Sequence, residues 1–162
     1  GTMEKGNKNQ SLQNAINFFR EINDKRILIE NLPTSDNPKL SRLCRTPRQI
    51  QEFIKKTNTK FCFDVNHTLE LREKINGKYS FIKKYLKLNP AHYHIGGQNS
   101  AKGETHLCFL NSEFNLKEAL KYYPDDAEIT LETEKDDIHK VENDIQIIKN
   151  VLNKIKQSLQ IQ

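Results

Sequence analysis

No stretch of this 162-residue sequence approaches the ~20 consecutive apolar residues of a membrane-spanning helix. The N-terminus also lacks the apolar centre of a secretory signal. Cysteine is scarce: Cys44, Cys62 and Cys108 are odd in number and show no CxxC spacing. That argues against a disulfide framework or a zinc knuckle and for reduced thiols in a cytoplasmic setting. With 35% hydrophobic residues, a net charge of +5 and a pI near 9.0, the chain reads as one polar-surfaced globular domain with no membrane partner. Residues 1–10 read as a tag remnant and disordered lead, and 11–162 as the domain. The basic cluster Lys39, Arg42, Arg45, Arg48, Lys55, Lys56 and Lys60 could hold a phosphate. Such a cluster is more often a solvated helix face, and alone it argues little for nucleic acid.

What the sequence does contain is a short apolar run that stops at an acid. Phe61-Cys62-Phe63 leads into Asp64, with His67 three residues on. The run has the length and composition of a core strand, and a carboxylate delivered there is costly to bury unless a cation or hydrogen bonds compensate it. The same arrangement recurs. Arg26–Glu30 ends in a glutamate, Ala91–His94 in a histidine and Glu128–Glu132 in another glutamate.

Helical spacing precedes each run. Leu12, Ala15, Ile16, Phe19 and Ile22 share one face, as do Ile50, Phe53 and Ile54 after the capping-box sequence Thr46-Pro47-Arg48-Gln49. Pro33 and Pro38 exclude regular helix after Glu30, and Asn76-Gly77 marks a break before the stripe Phe81, Ile82, Tyr85 and Leu86. Ile95–Ser100 reads as a flexible polar loop, Asn115–Glu118 as a helix start, and Val141, Ile145, Ile148, Leu152, Ile155 and Leu159 as the apolar face of a helix from about Asp137. Four strands separated by helices form the pattern of parallel βαβ units, so the fold class is α/β. In such units all strand C-termini lie at one sheet edge, where Glu30, Asp64, His94 and Glu132 can meet. His92 is expected on the opposite face, in a structural role, and Ile27, Ile29, Phe63 and Ile129 facing inward.

The ordered segments Leu28-Ile29-Glu30-Asn31-Leu32-Pro33, Phe63-Asp64-Val65-Asn66-His67, His92-Tyr93-His94, Glu104-Thr105-His106 and Thr130-Leu131-Glu132 resemble the C-terminal half of the xylose isomerase-like TIM-barrel superfamily, AP endonuclease family 2. This superfamily includes endonuclease IV and sugar epimerases related to D-tagatose 3-epimerase, and the resemblance covers about Ser11 to Leu159. It implies a half TIM barrel of four βα units, equivalent to strands five to eight of a (β/α)8 barrel. It also implies a divalent metal (Mn, Zn, Mg or Co) held by Glu30, Asp64, His94 and Glu132. In the epimerase branch Glu30 and Glu132 would be catalytic, exchanging protons with a sugar or sugar phosphate while the metal stabilises an enediolate. In the endonuclease branch, acting on abasic DNA, His67, Glu104 and His106 would surround a second metal or the substrate. Departures from the family pattern are His94-Ile95-Gly96-Gly97, Glu104-Thr105-His106 and Leu107–Asn111.

A complete barrel of this kind needs roughly 200–250 residues. Four strands alone leave two sheet edges open. The resemblance therefore implies a homodimer that completes a barrel through an extensive apolar interface, or a missing N-terminal half. The plainer reading of each site residue is a capped strand-end acid or a solvated loop histidine. For the four together it is an internal hydrogen-bond network in a non-catalytic descendant.

Overall fold

The computed structural model describes residues 2–4, 8–33, 40–68, 79–99, 102, 104–133 and 137–160. Pro38, Lys39, Asn76, Gly77 and Ser100 lie outside these described residues. The elements run β1 (Thr2–Glu4), α1 (Lys8–Ile22), β2 (Leu28–Glu30), β3 (Leu40–Arg42), α2 (Pro47–Thr57) and β4 (Lys60–Asp64). A helical turn at 65–68 follows directly on β4. Then come a 3-10 turn (Tyr79–Phe81), α3 (Ile82–Leu86), β5 (His92–Ile95), β6 (Gly97–Asn99), β7 (Glu104–Leu107), α4 (Leu116–Leu120), β8 (Ile129–Leu131) and α5 (Ile138–Gln160). Within 1–10, β1 pairs antiparallel with β3, and α1 begins at Lys8.

Four strands form one parallel sheet in the order β2-β4-β5-β8. The chain is thus a mixed α/β protein with a four-stranded parallel sheet. Its elements start and stop for local reasons. Thr46 accepts from the Gln49 amide and Gln49 answers on the Thr46 amide, Pro47 opens α2, and Asn58 ends it in the left-handed region at φ 56°. Asn115 caps α4 by accepting from the Glu118 amide.

Strand alternation divides the sheet into two unlike faces. Ile29 pairs with Phe61, Phe63 with Tyr93, Tyr93 with Ile129, and Ile95 with Leu131. These residues face the helices and make the core with Ile16, Ile50, Phe53, Ile82, Tyr85, Ala119 and Leu120. This corrects the expectation that Ile29, Phe63 and Ile129 face a barrel interior. Once Asp64 and His94 point one way, Phe63 and Tyr93 must point the other. The opposite face carries Glu30, Cys62, Asp64, His92, His94 and Thr130, with Glu132 just past β8.

A second correction concerns Ile95–Ser100. Instead of a flexible loop, Gly97–Asn99 form β6, which pairs antiparallel with β7 across a register shift at Gly97/Gln98. Gln98 and Asn99 are buried, and the Gln98 amide and carbonyl are both taken up by the Ser112 hydroxyl. The polar residues that suggested solvent exposure are buried instead, with the Gln98 backbone satisfied by Ser112 while its side-chain Oε1 has no hydrogen bond.

Candidate metal centre

Asp64 is 1% exposed at the end of β4. Its Oδ1 accepts from the amides of Asn66 (2.7 Å) and His67 (3.2 Å), so the carboxylate caps the helical turn that follows. Its Oδ2 is buried with no hydrogen bond and has an ion-pair contact with His67 Nδ1 at 3.6 Å. Donor atoms of Glu30, Asp64 and His94 lie within 4.8 Å of one another.

The cluster continues on either side of those three. Glu30 Oε1 lies 3.2 Å from His67 Nδ1 and 3.6 Å from His94 Nδ1. Glu132 Oε1 lies 3.0 Å from His94 Nδ1, and its Oε2 lies 3.3 Å from His106 Nδ1. Each glutamate thus touches two imidazoles. The 3.0 Å contact is close in distance but out of line for an N–H bond, and His94 Nδ1 counts as a buried nitrogen without a hydrogen-bond partner. His67 is oriented differently: its Nδ1 donates to the Asn31 carbonyl at 2.6 Å, which leaves Nε2 as its free nitrogen when the ring is neutral.

Electrostatics follows from this crowding. Burial raises Glu30, but the His67 and His94 rings outweigh it and hold the carboxyl down at about 2. Burial pushes Asp64 up to about 6, with His67 opposing and Glu30 adding to the rise. The Cys62 thiol and then Glu30 push His94 up to about 10 against the pull of burial. Because burial raises Cys62 as well, its thiol is protonated at neutral pH, and the carboxylates carry the effect on His94 there. Burial lowers His67, and Glu30 more than restores it, for a net rise. His94 therefore carries a proton at neutral pH among these carboxylates.

Two amide side chains fix the strand ends. Asn31 donates to the Asp64 carbonyl (2.7 Å) and accepts from the Asp64 amide (2.8 Å), bridging β2 to β4. Asn66 does the same to Gly96, at 2.9 Å in both directions, bridging β4 to β5. The next link is backbone, from the Glu132 amide to the Ile95 carbonyl at 2.8 Å. Gly96 is required by this closeness, because a Cβ there would lie 2.1 Å from the Glu132 carbonyl oxygen. Asp144, fully buried on α5, accepts from the Phe109 amide and the Thr133 hydroxyl and so anchors the segments beyond β7 and β8.

The structure therefore brings Glu30, Asp64 and His94 within mutual ligand reach and attaches Glu132, His67 and His106 to them through ion-pair contacts, with Glu132 outside the mutually close trio. It does not bring in Glu104, which is exposed at the far end of the β6–β7 hairpin and makes no ion pair among the described residues. His106 adopts φ 60°, strained for a non-glycine residue, and meets Glu132 from that conformation. His92 corrects an expectation. It lies on the same face as His94, two residues away on β5, with ring centroids 5.5 Å apart and a 2.7 Å contact from Nε2 to the Thr130 hydroxyl. Four of the five histidines thus gather on one sheet face or its rim.

Sequence reasoning missed Asn31, Asn66, Cys62 and Asp144. The signals were an amide immediately after the strand-end Glu30 and another two residues after Asp64. Comparison of the chain with protein-family models, with curated proteins and with solved structures finds no match to any of them.

Proposed function

We propose that Glu30, Asp64, His94 and Glu132 hold one divalent cation per chain and that the protein is a metal-dependent sugar isomerase or epimerase. The observation that carries this reading is the Oδ2 of Asp64, buried without a hydrogen bond, 3.6 Å from His67 Nδ1 and converging with Glu30 and His94. An ionised carboxylate oxygen without a hydrogen bond is expensive to bury, and a coordinated cation offsets that cost more fully than an imidazole 3.6 Å away. Three carboxylates and one imidazole suit Mn²⁺, Mg²⁺, Co²⁺ or Zn²⁺. The resemblance to the xylose isomerase-like superfamily supports the same set, with the sheet as strands five to eight of a half barrel.

When bound, such an ion would polarise adjacent hydroxyl and carbonyl oxygens of a sugar and offset the charge left on them when a neighbouring carbon loses its proton. Glu30 and Glu132 leave different strands on either side of His94, and either can accept or return that proton. His67 and His106 flank them, His67 through Glu30 and His106 through Glu132, and restrain the carboxylates' orientation. The same flanking favours a second reading, a phosphodiesterase for abasic DNA, because each glutamate with two imidazoles offers ligands for more than one metal.

Metal content after dialysis against Mn²⁺ or Zn²⁺ should be about one ion per chain and should be lost in His94→Ala. Stoichiometric metal in that variant would overturn the site. Incorporation of deuterium from D2O into a ketose or ketose phosphate, followed by NMR, tests the reaction. Cleavage of an abasic duplex with no ketose exchange would favour the phosphodiesterase.

A further inference from the structure

The metal centre is fastened unevenly. Asn31 and Asn66 tie the ends of β2, β4 and β5 together, so Glu30, Asp64 and His94 stand on strands clipped side to side. Glu132 and His106, on the other flank, are held by no such clip among the described residues. His106 also carries a cost of its own, because a non-glycine residue at φ 60° persists only where its surroundings over-determine it. One support is Gly96. A Cβ there would lie 2.1 Å from the Glu132 carbonyl oxygen and 3.4 Å from His106 Cα, so both backbones rest on the glycine that Asn66 grips.

A second support comes from α5. Asp144 is fully buried, and its Oδ1 accepts from the Phe109 amide at 3.0 Å and its Oδ2 from the Thr133 hydroxyl at 2.9 Å. Thr133 directly follows Glu132, and Phe109 lies three residues after His106. The Thr133 hydroxyl also contacts Cys108 Sγ at 3.5 Å, so one carboxylate gathers the two segments that deliver Glu132 and His106. The helix is a fixed base for these bonds: it packs on the turn Phe109–Asn111 and on α4, with Ile147, Ile148 and Val151 against the core. An apolar side chain would serve packing alone at least as well as a buried carboxylate. What the carboxylate adds is a fixed direction for two particular donors.

We propose that Asp144 is a positioning residue of the metal centre: by holding Thr133 and Phe109 from α5, it fixes Glu132 and His106 opposite one another. With Glu132 Oε2 kept 3.3 Å from His106 Nδ1, its Oε1 is left facing His94 Nδ1 at 3.0 Å. Asp144 touches no ligand itself and acts through the residues beside them. The inference rests on the reading of Glu132 as a metal ligand, and it makes α5, which contributes no ligand, a determinant of how well the cation is held.

Zn²⁺ affinity, measured by competition with a chelating dye, should fall about 10-fold in Asp144→Ala. Asp144→Asn should restore most of it, because the amide oxygen still accepts from Phe109 while the NH₂ group donates to the Thr133 hydroxyl. In a Glu132→Gln background Asp144→Ala should cost about 2-fold or less, since both changes act through one carboxylate. The same loss in both backgrounds, or wild-type affinity in folded Asp144→Ala, would overturn the proposal. Thr133→Val removes one of the two donors and should shift affinity in the same direction, which serves if Asp144→Ala does not fold. Nitrogen NMR of the imidazoles in metal-free protein gives an independent reading. The His106 resonances should move in Asp144→Ala or Thr133→Val, while those of His67, held by the Asn31 carbonyl, stay in place. Equal movement of both rings, or of neither, would overturn the proposal. If the wild-type chain takes up no Zn²⁺, the metal reading falls by itself, and the imidazole spectra still decide whether Asp144 positions His106.

Discussion

The two faces of the parallel sheet are built from alternate residues of the same strands, yet they do opposite work. On one, Phe61, Phe63, Tyr93 and Ile95 are buried against helices, with Phe63 ringed by Tyr85, Tyr93 and Tyr123 at centroid distances of 5.4, 6.4 and 6.2 Å. On the other, Glu30, Asp64 and His94 converge with unsatisfied or competing charges. The first face supplies stability through close packing. The second holds together groups that repel one another or lack hydrogen bonds, at a cost in stability.

The largest effect that separates the faces should come from Phe63→Ala against His94→Ala. Removing a fully buried phenylalanine should destabilise by about 3–5 kcal/mol, read as a lower urea midpoint, with metal stoichiometry unchanged under conditions where the variant is folded. His94→Ala should abolish metal binding while shifting the midpoint far less. Equal loss of stability in both would erase the distinction. Next in size is Asn66→Ala, which removes two buried hydrogen bonds to Gly96 and should cost about 1–3 kcal/mol. Because it separates the ends of β4 and β5, it should also weaken metal affinity, although Asn66 is not a ligand. Unchanged affinity would show that the clip serves stability alone.

How much of this was legible follows from the same alternation. The acid or histidine at the end of each apolar run located Glu30, Asp64, His94 and Glu132, because a period of two and a strand terminus are local properties. The face opposite was misassigned for Ile29, Phe63 and Ile129, and His92 was placed on the wrong side, although its spacing of two from His94 fixed it on the same one. The β6–β7 hairpin was not legible, because the Gln98 backbone is satisfied by Ser112, fourteen residues away. Nor were the two amide clips, since bonds from Asn31 to residue 64 and from Asn66 to residue 96 exist only after the strands are adjacent. Glu104 looked like a site residue because it precedes His106 by two, but it opens β7 opposite Asn99 and is exposed there.

A pH series on metal-free protein should show the charged face working against the packed one. His94 is raised from an ordinary value near 6.5 to about 10, so the stability it contributes is complete below 6.5 and lost as pH rises toward 10. The unfolding midpoint should fall over that interval, by about 1–2 kcal/mol after allowance for solvent screening. Metal affinity should rise over the same interval, because ligation requires the neutral imidazole and releases its proton. Calorimetry in buffers of different ionisation enthalpy would detect that proton. A midpoint insensitive to pH between 6.5 and 10 in the wild type, or equally sensitive in His94→Ala, would remove His94 from this role.

The smallest expected change has an unusual sign. Asp64 is raised from 3.8 to about 6, so its ionisation disfavours the metal-free fold, and the penalty grows as pH rises from about 4 to above 6. Asp64→Asn keeps an oxygen for the amides of Asn66 and His67 but removes the buried charge at Oδ2, which accepts no hydrogen bond. At pH 8 without metal the variant should therefore be more stable than wild type, by on the order of 1 kcal/mol, and the difference should vanish near pH 4. With saturating metal the order should reverse, since only the carboxylate supplies an anionic ligand and bound ion stabilises the wild type by mass action. Thermal unfolding of both proteins at pH 4 and pH 8, with and without metal, tests all four corners. A variant less stable than wild type at pH 8 in the absence of metal would mean that the His67 contact already compensates the Oδ2 charge there, and the centre would then be an internal network instead of a site prepared for a cation.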